Sequence, residues 1–197
     1  MKLLRPALNI SSTLMLVIAV AGLEPAALAQ ARTANPRTVG SSRQDVNMTP
    51  QELADKAAIR ELVDRYSILA DQKQAQKQAD MFSKSAVLET YRRTPEAEKG
   101  QLMSKLEGPA NIGQAFEKFL KNFETVYHFN GQSVVELNGD KATGIAYCTV
   151  NLVRNANGKR TMQNIGIHYY DEYVRENGKW LFARRTTIFD WETTREL

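Results

Sequence analysis

The final 70 residues constrain this chain most. From Thr125 to Trp191 they divide into four long strand-like runs punctuated by Asn138-Gly139-Asp140, Asn155-Ala156-Asn157-Gly158 and Glu176-Asn177-Gly178. Asn-Gly and Gly-Asp at such intervals are hairpin turns, so the runs predict an antiparallel meander over 125–137, 141–154, 160–175 and 179–191. Strands this long bend. With helices placed earlier in the chain, a bent meander wraps around them. The expected class is α+β, with a curved antiparallel sheet enclosing about three helices and a pocket.

The helical part opens with a sharp signal. Thr49-Pro50-Gln51-Glu52 is a capping box with proline at the first helical position. Behind it, Ile59, Leu62, Val63, Tyr66, Leu69 and Ala70 recur at helical spacing and predict a helix over 50–71. A polar second helix is expected over 72–83, with Ala75, Ala79 and Phe82 inward, and a short strand over 86–91. Residues 92–104 are charged and contain Pro95 and Gly100, which predicts a mobile loop long enough to be a lid. Gly108-Pro109 opens a third helix with Ile112, Ala115, Phe116, Phe119, Leu120 and Phe123 as its apolar stripe.

Residues 1–29 do not belong to this domain. Lys2 and Arg5 precede an apolar stretch centred on 14–20, and Ala27-Leu28-Ala29 is a small-x-small cleavage pattern. That is the plan of a secretory signal peptide. The apolar core is shorter than the roughly 20 residues a span needs, so no stable membrane anchor is expected after cleavage. The chain would be periplasmic or secreted. Residues 30–48 lack periodicity and read as a disordered linker, leaving 49–197 as the domain. The single cysteine, Cys148, allows no intrachain disulfide. Stability must therefore come from a core, and a hydrophobic fraction of 43% is enough for one. Net charge is +4, falling to +3 once Lys2, Arg5 and Glu24 leave with the leader. The charges are scattered, so no nucleic-acid partner is expected. Two histidines and one cysteine are too few for a His/Cys metal site.

The ordered motifs resemble the SnoaL-like family of the nuclear-transport-factor-2-like superfamily. They are Ala58-Ile59-Arg60-Glu61-Leu62 with Tyr66 and Asp71, Asp80-Met81-Phe82, Gly108-Pro109-Ala110-Asn111-Ile112, Val126-Tyr127-His128-Phe129, Gly139-Asp140-Lys141-Ala142, Tyr169-Tyr170-Asp171 and Gly178-Lys179-Trp180. The resemblance spans about 51–191. It implies a cone-shaped fold and a small hydrophobic molecule as partner, handled without organic cofactor or metal. Some enzymes of this kind are dehydratases, isomerases or cyclases that move protons. Carried over by position, Asp71 and His128 form an acid–base pair and Tyr66 polarises an oxygen. A carboxylate on one imidazole nitrogen fixes the tautomer and raises the basicity of the other. Asn151, Tyr169 and Arg185 are the expected substrate-binding residues. Dehydratase-like relatives carry a second ionisable group where this chain has Asn151-Leu152. His168 alternates with the inward Tyr169 and is expected on the outer sheet face, where two copies could pair as a homodimer. Arg184 and Arg185 point to opposite faces, with Asp171 and Glu172 as cross-strand partners. Three functions stay open: a cofactor-independent lyase, isomerase or cyclase; a non-catalytic periplasmic binding module; and a dimerising interaction domain.

Overall fold

The computed structural model describes residues 48–197, apart from residue 96 and the side chains of 97–99. The leader and nearly all of the linker expected from the sequence lie outside the described residues. The chain order is α1 (Pro50–Asp71), α2 (Ala75–Ala79), β1 (Phe82–Thr94), β2 (Ala97–Glu107), α3 (Pro109–Leu120), β3 (Thr125–Asn138), β4 (Lys141–Ala156), β5 (Lys159–Glu176) and β6 (Lys179–Glu196). The six strands form one sheet in the order β2-β1-β6-β5-β4-β3. All neighbours are antiparallel except β1 and β6, which run parallel.

The capping box forms as its sequence requires. Thr49 Oγ1 accepts from the Glu52 amide, and the Glu52 carboxylate accepts from the Thr49 amide at 2.7 Å. The turns Asn157-Gly158 and Asn177-Gly178 each place both central residues at positive φ. This two-residue turn matches the twist of the strands it joins, and so sets the register of β4, β5 and β6.

Register then sorts the side chains. On β5, Ile165, Ile167, Tyr169, Asp171 and Tyr173 point toward the helices and are buried. On β4, Ala142, Ala146, Cys148, Val150 and Leu152 do the same. They meet Ile59, Leu62, Val63, Tyr66 and Ala70 of α1 in one continuous core. Residues one position off line the outer face of the sheet. There Tyr127, Phe129, Tyr147 and Trp191 are each about half exposed or more.

Three expectations are corrected. The stretch over 92–104 is not a loop: β1 and β2 form a hairpin turning at Pro95. β2 is an edge strand, with Leu102 and Met103 exposed, so it needs no apolar alternation and its charges read as loop. Gly100, at φ +83, lies where a Cβ would come within 2.0 Å of the Arg92 carbonyl; it allows the hairpin to close through an irregular register. The second helix is a single turn, because Lys73 takes φ 56 and breaks the backbone after α1. Phe119 lies 48% exposed rather than in the core.

Candidate active site

Asp71 is the last residue of α1, and His128 is the fourth residue of β3 on the inward face. Helix and strand cross so that Asp71 Oδ1 lies 2.6 Å from His128 Nδ1. The other oxygen, Oδ2, accepts the His128 backbone N–H at 3.2 Å. One carboxylate thus holds both the ring and the backbone behind it. With Nδ1–H donated to Asp71, the neutral imidazole presents a lone pair at Nε2. The His128 side chain is 10% exposed and that of Asp71 25%, so the pair sits at the rim rather than deep in the core.

A polar stripe on α1 holds this crossing in place. Arg60, Asp64, Ser67 and Asp71 recur at helical spacing beside the apolar stripe. Arg60 Nη1 donates to the Gly131 carbonyl, and Asn130 Nδ2 donates to Asp64 Oδ1 at 2.9 Å. Ser67 Oγ donates to Asn130 Oδ1 at 2.9 Å. These contacts fix how far α1 slides along β3, and therefore whether Asp71 meets His128.

Deeper in the cone lies Arg185, fully buried. Its guanidinium makes a two-point contact with Asp171, Nε to Oδ1 at 2.8 Å and Nη2 to Oδ2 at 2.7 Å. Tyr173 donates its hydroxyl to the same carboxylate at 2.9 Å. Three rings box the cation in: Tyr169, Phe182 and Tyr66 have centroids 3.9, 4.1 and 4.3 Å from its central carbon. Burial works against the Arg185 charge, but Asp171 outweighs it and holds the group above its ordinary value. Nη1 is buried without a hydrogen-bond partner among the described residues. A buried donor left unpaired costs about 1–3 kcal/mol, so Nη1 keeps an unmet capacity to donate.

Burial raises the phenols of Tyr66 and Tyr169 above the usual tyrosine range; both stay protonated and can donate. Burial also pushes the Cys148 thiol up to about 12, which rules out a thiolate nucleophile near neutral pH. The charges of Arg185 and Asp71 act on the thiol in opposite directions, the first lowering and the second raising it.

Of the residues singled out in the sequence, Asp71 and His128 come together directly. Tyr66, Tyr169 and Arg185 form a second cluster, in which Tyr66 packs edge-on against Phe82, Phe116, Tyr169 and Phe182. Tyr66 is directed to Arg185 rather than to the Asp71–His128 pair, since five residues along a helix turn it well away from Asp71. Asn151 does not join either group. The residue paired with His128 across β4 is Val150, while Asn151 pairs with Tyr127 and Asn164 on the outer face. Its Oδ1 accepts from Asn164 Nδ2 at 2.7 Å. A single-residue offset in a strand reverses the face. Sequence reading missed Ser67 and Asn130; the stripe 60, 64, 67, 71 was the signal for Ser67. Among the described residues no three His, Cys, Asp or Glu side chains converge as a metal site requires.

A curved, unclosed sheet wrapped on three helices, with its polar groups on the concave side, defines the nuclear-transport-factor-2-like class. Residues 51–186 match the model of the SnoaL-like domain, and the chain belongs to that family. Among curated proteins no relative matches its sequence. Solved structures share the fold at low identity. One is a proposed scytalone dehydratase from Novosphingobium aromaticivorans, 20% identical, covering 74% of this chain and 91% of that one at a TM-score of 0.59. A hexachlorocyclohexane dehydrochlorinase of type 2 is 20% identical, covering 73% and 90% at 0.59. An NTF2-like protein with a cystatin-like fold, also from Novosphingobium aromaticivorans, is 22% identical, covering 71% and 84% at 0.51.

Proposed function

We propose that this chain is an exported, cofactor-independent lyase or isomerase acting on a small hydrophobic molecule. The observation that carries the reading is the 2.6 Å contact from Asp71 Oδ1 to His128 Nδ1, which leaves Nε2 as a base at the rim of the cone. His128 Nε2 takes a proton from a carbon of the substrate. The C–H electron pair becomes a new double bond, and a hydroxide or halide leaves from the neighbouring carbon with its bonding pair; in an isomerisation the proton returns elsewhere. Asp71 stabilises the imidazolium that forms, and solvent then takes the proton. Arg185 Nη1, with the Tyr66 and Tyr169 hydroxyls, receives an oxygen or leaving group that gains negative charge. Lyase chemistry draws support from the fold shared with a dehydrochlorinase and a proposed dehydratase. Export draws its support from the leader pattern over residues 1–29 alone.

The test is proton abstraction itself. Scytalone and hexachlorocyclohexane serve as first probes, followed by other cyclic alcohols and halides with an acidic neighbouring C–H. Deuterium uptake at that carbon and release of the leaving group are followed in heavy water. Substituting His128→Ala should lower the rate about 10²–10⁴-fold while the fold survives. An undiminished rate in that variant sinks the base assignment.

A second reading has its own support. At the positions where dehydratase-like relatives carry a second ionisable group, this chain has Asn151, which faces outward, and Leu152, buried in the core. A non-catalytic binding module would hold the same apolar ligands without turnover, and binding would tolerate His128→Ala.

A further inference from the structure

The second histidine is also held by an aspartate, on the opposite face of the sheet. His168 Nδ1 lies 2.5 Å from Asp190 Oδ2, and Arg93 Nε donates to Asp190 Oδ1 at 2.7 Å. The contact depends on an irregularity. Gly166 pairs with Trp191 but Ile167 pairs with Phe189, so Asp190 is one residue too many on β6. A bulge of this kind re-aims a side chain, and such bulges concentrate beside functional sites. The His168 ring is stacked under Tyr147, centroids 5.5 Å apart, and meets Tyr170 edge-on at 5.0 Å. Trp191 packs against Gly166, where a Cβ would come within 2.2 Å of the indole. These side chains, with Phe129, border a cleft of about 590 Å³ on the outer face.

We propose that this outer cleft is a second ligand site, built for a neutral aromatic ring that carries a hydroxyl group. Phe129, Tyr147, Tyr170 and Trp191 are 66, 50, 45 and 50% exposed, offering flat apolar surfaces to a ring. The charges cancel in pairs: Arg93 with Asp190, and Arg92 with Glu192 at 2.7 Å. No net field therefore favours an ion. His168 is 3% exposed, and its Nδ1 is committed to Asp190. In the neutral ring Nε2 is an acceptor, which selects a ligand with an O–H to donate.

The probes are 2-naphthol and 2-methylnaphthalene, which differ in the hydroxyl, titrated into the full chain at about pH 8, above the ordinary imidazole range. Binding is read from the indole N–H of Trp191 in nitrogen-15 spectra, with buried Trp180 as the internal control. The naphthol should bind about tenfold tighter, the worth of one hydrogen bond. His168→Phe should reduce that ratio to about one, and Trp191→Ala, on an exposed side chain, should weaken both ligands together. Three results overturn the proposal: equal affinities in the unaltered protein, perturbation centred on Trp180, or loss of the Trp191 response on raising protein concentration because a second copy covers the face.

Discussion

Both histidines of this domain are held through Nδ1 by an aspartate, yet the two couples are built differently. Asp71–His128 joins a helix to a strand 57 residues away and exists only if α1 lies correctly across β3. His168–Asp190 joins adjacent strands 22 residues apart and exists because β6 carries one extra residue. The first faces a concave interior with a buried arginine and three buried phenols. The second faces outward between exposed rings. An Asp–His pair alone therefore says little about chemistry; what lies in front of the free nitrogen decides it.

The largest effect separates the couples by kind of loss. Asp71→Ala and His128→Ala should each lower turnover about 10²–10⁴-fold, with the thermal midpoint shifted by only a few degrees because both groups sit at the rim. Asp190→Ala should instead appear in the melting transition, since it leaves Arg93 and the largely buried His168 without their partner. If the two couples lost activity and stability in the same proportion, the distinction between them would collapse.

Next in size is the buried ion pair that backs the inner couple and has no counterpart outside. Asp171→Ala strands a fully buried Arg185 and also frees the Tyr173 hydroxyl. Removing one partner of such a pair costs about 3–5 kcal/mol. Urea unfolding should show that fall in midpoint, and the double change Asp171→Leu with Arg185→Met should recover much of it. A single variant as stable as the parent would mean that water reaches this pair.

The legibility of these features in the sequence follows the same division. The four-strand meander, the capping box and the apolar stripe of α1 were readable, because each rests on local chemistry with a fixed period or a fixed turn. Alternation put Arg184 and Arg185 on opposite faces of β6 without saying which points inward, and the inner placement of Tyr169 rested on the family resemblance. Asn151 was misplaced, because one residue of register inverts a strand and no local signal told Val150 from Asn151 as the neighbour of His128. β2 reads as a loop because an edge strand exposed on its surface need not alternate. The outer couple was invisible for another reason: the bulge at Asp190 has no sequence mark beyond Gly166 opposite Trp191. Ser67, by contrast, stood in plain sight in a polar stripe parallel to the apolar one.

Another aspartate anchors the far end of α1, and its effect should be smaller. Asp55 Oδ1 accepts from Trp180 Nε1 at 2.9 Å and from Arg175 Nη1 at 2.7 Å. The Trp180 hydrogen bond, against the opposing effect of burial and with help from Gln51 and Arg175, holds the Asp55 carboxyl below its ordinary range. Folded Asp55 therefore gives up its proton more readily than unfolded Asp55. Its contribution is complete above about pH 4, where the unfolded carboxylate is ionised, and is lost as pH falls through the lower folded-state value. Asp55→Ala should cost about 1–3 kcal/mol near neutrality by leaving the indole N–H unpaired. It should also flatten the acid limb of the stability profile, and an acid limb unchanged from the parent would remove Asp55 from the account.

The smallest effect tests whether the inner couple depends on the helix register that the outer couple does without. Ser67→Ala removes one hydrogen bond to Asn130, worth about 0.5–1.5 kcal/mol. Ser67 touches neither Asp71 nor His128 in the hydrogen-bond network, so it acts only by holding α1 against β3. A role confined to stability would lower the thermal midpoint and leave kinetics alone below it. A positioning role predicts a fall in kcat at nearly constant KM, a changed nitrogen-15 signature at the His128 ring and backbone amide, and recovery of both in Ser67→Thr, which keeps the hydroxyl. The His168 ring signals should not move in either variant, because the side-chain hydrogen bonds of His168 and Asp190 run between β1, β5 and β6. Movement at His168 alongside His128 would show that the two faces of the sheet are coupled, and the two couples would then have to be treated as one system.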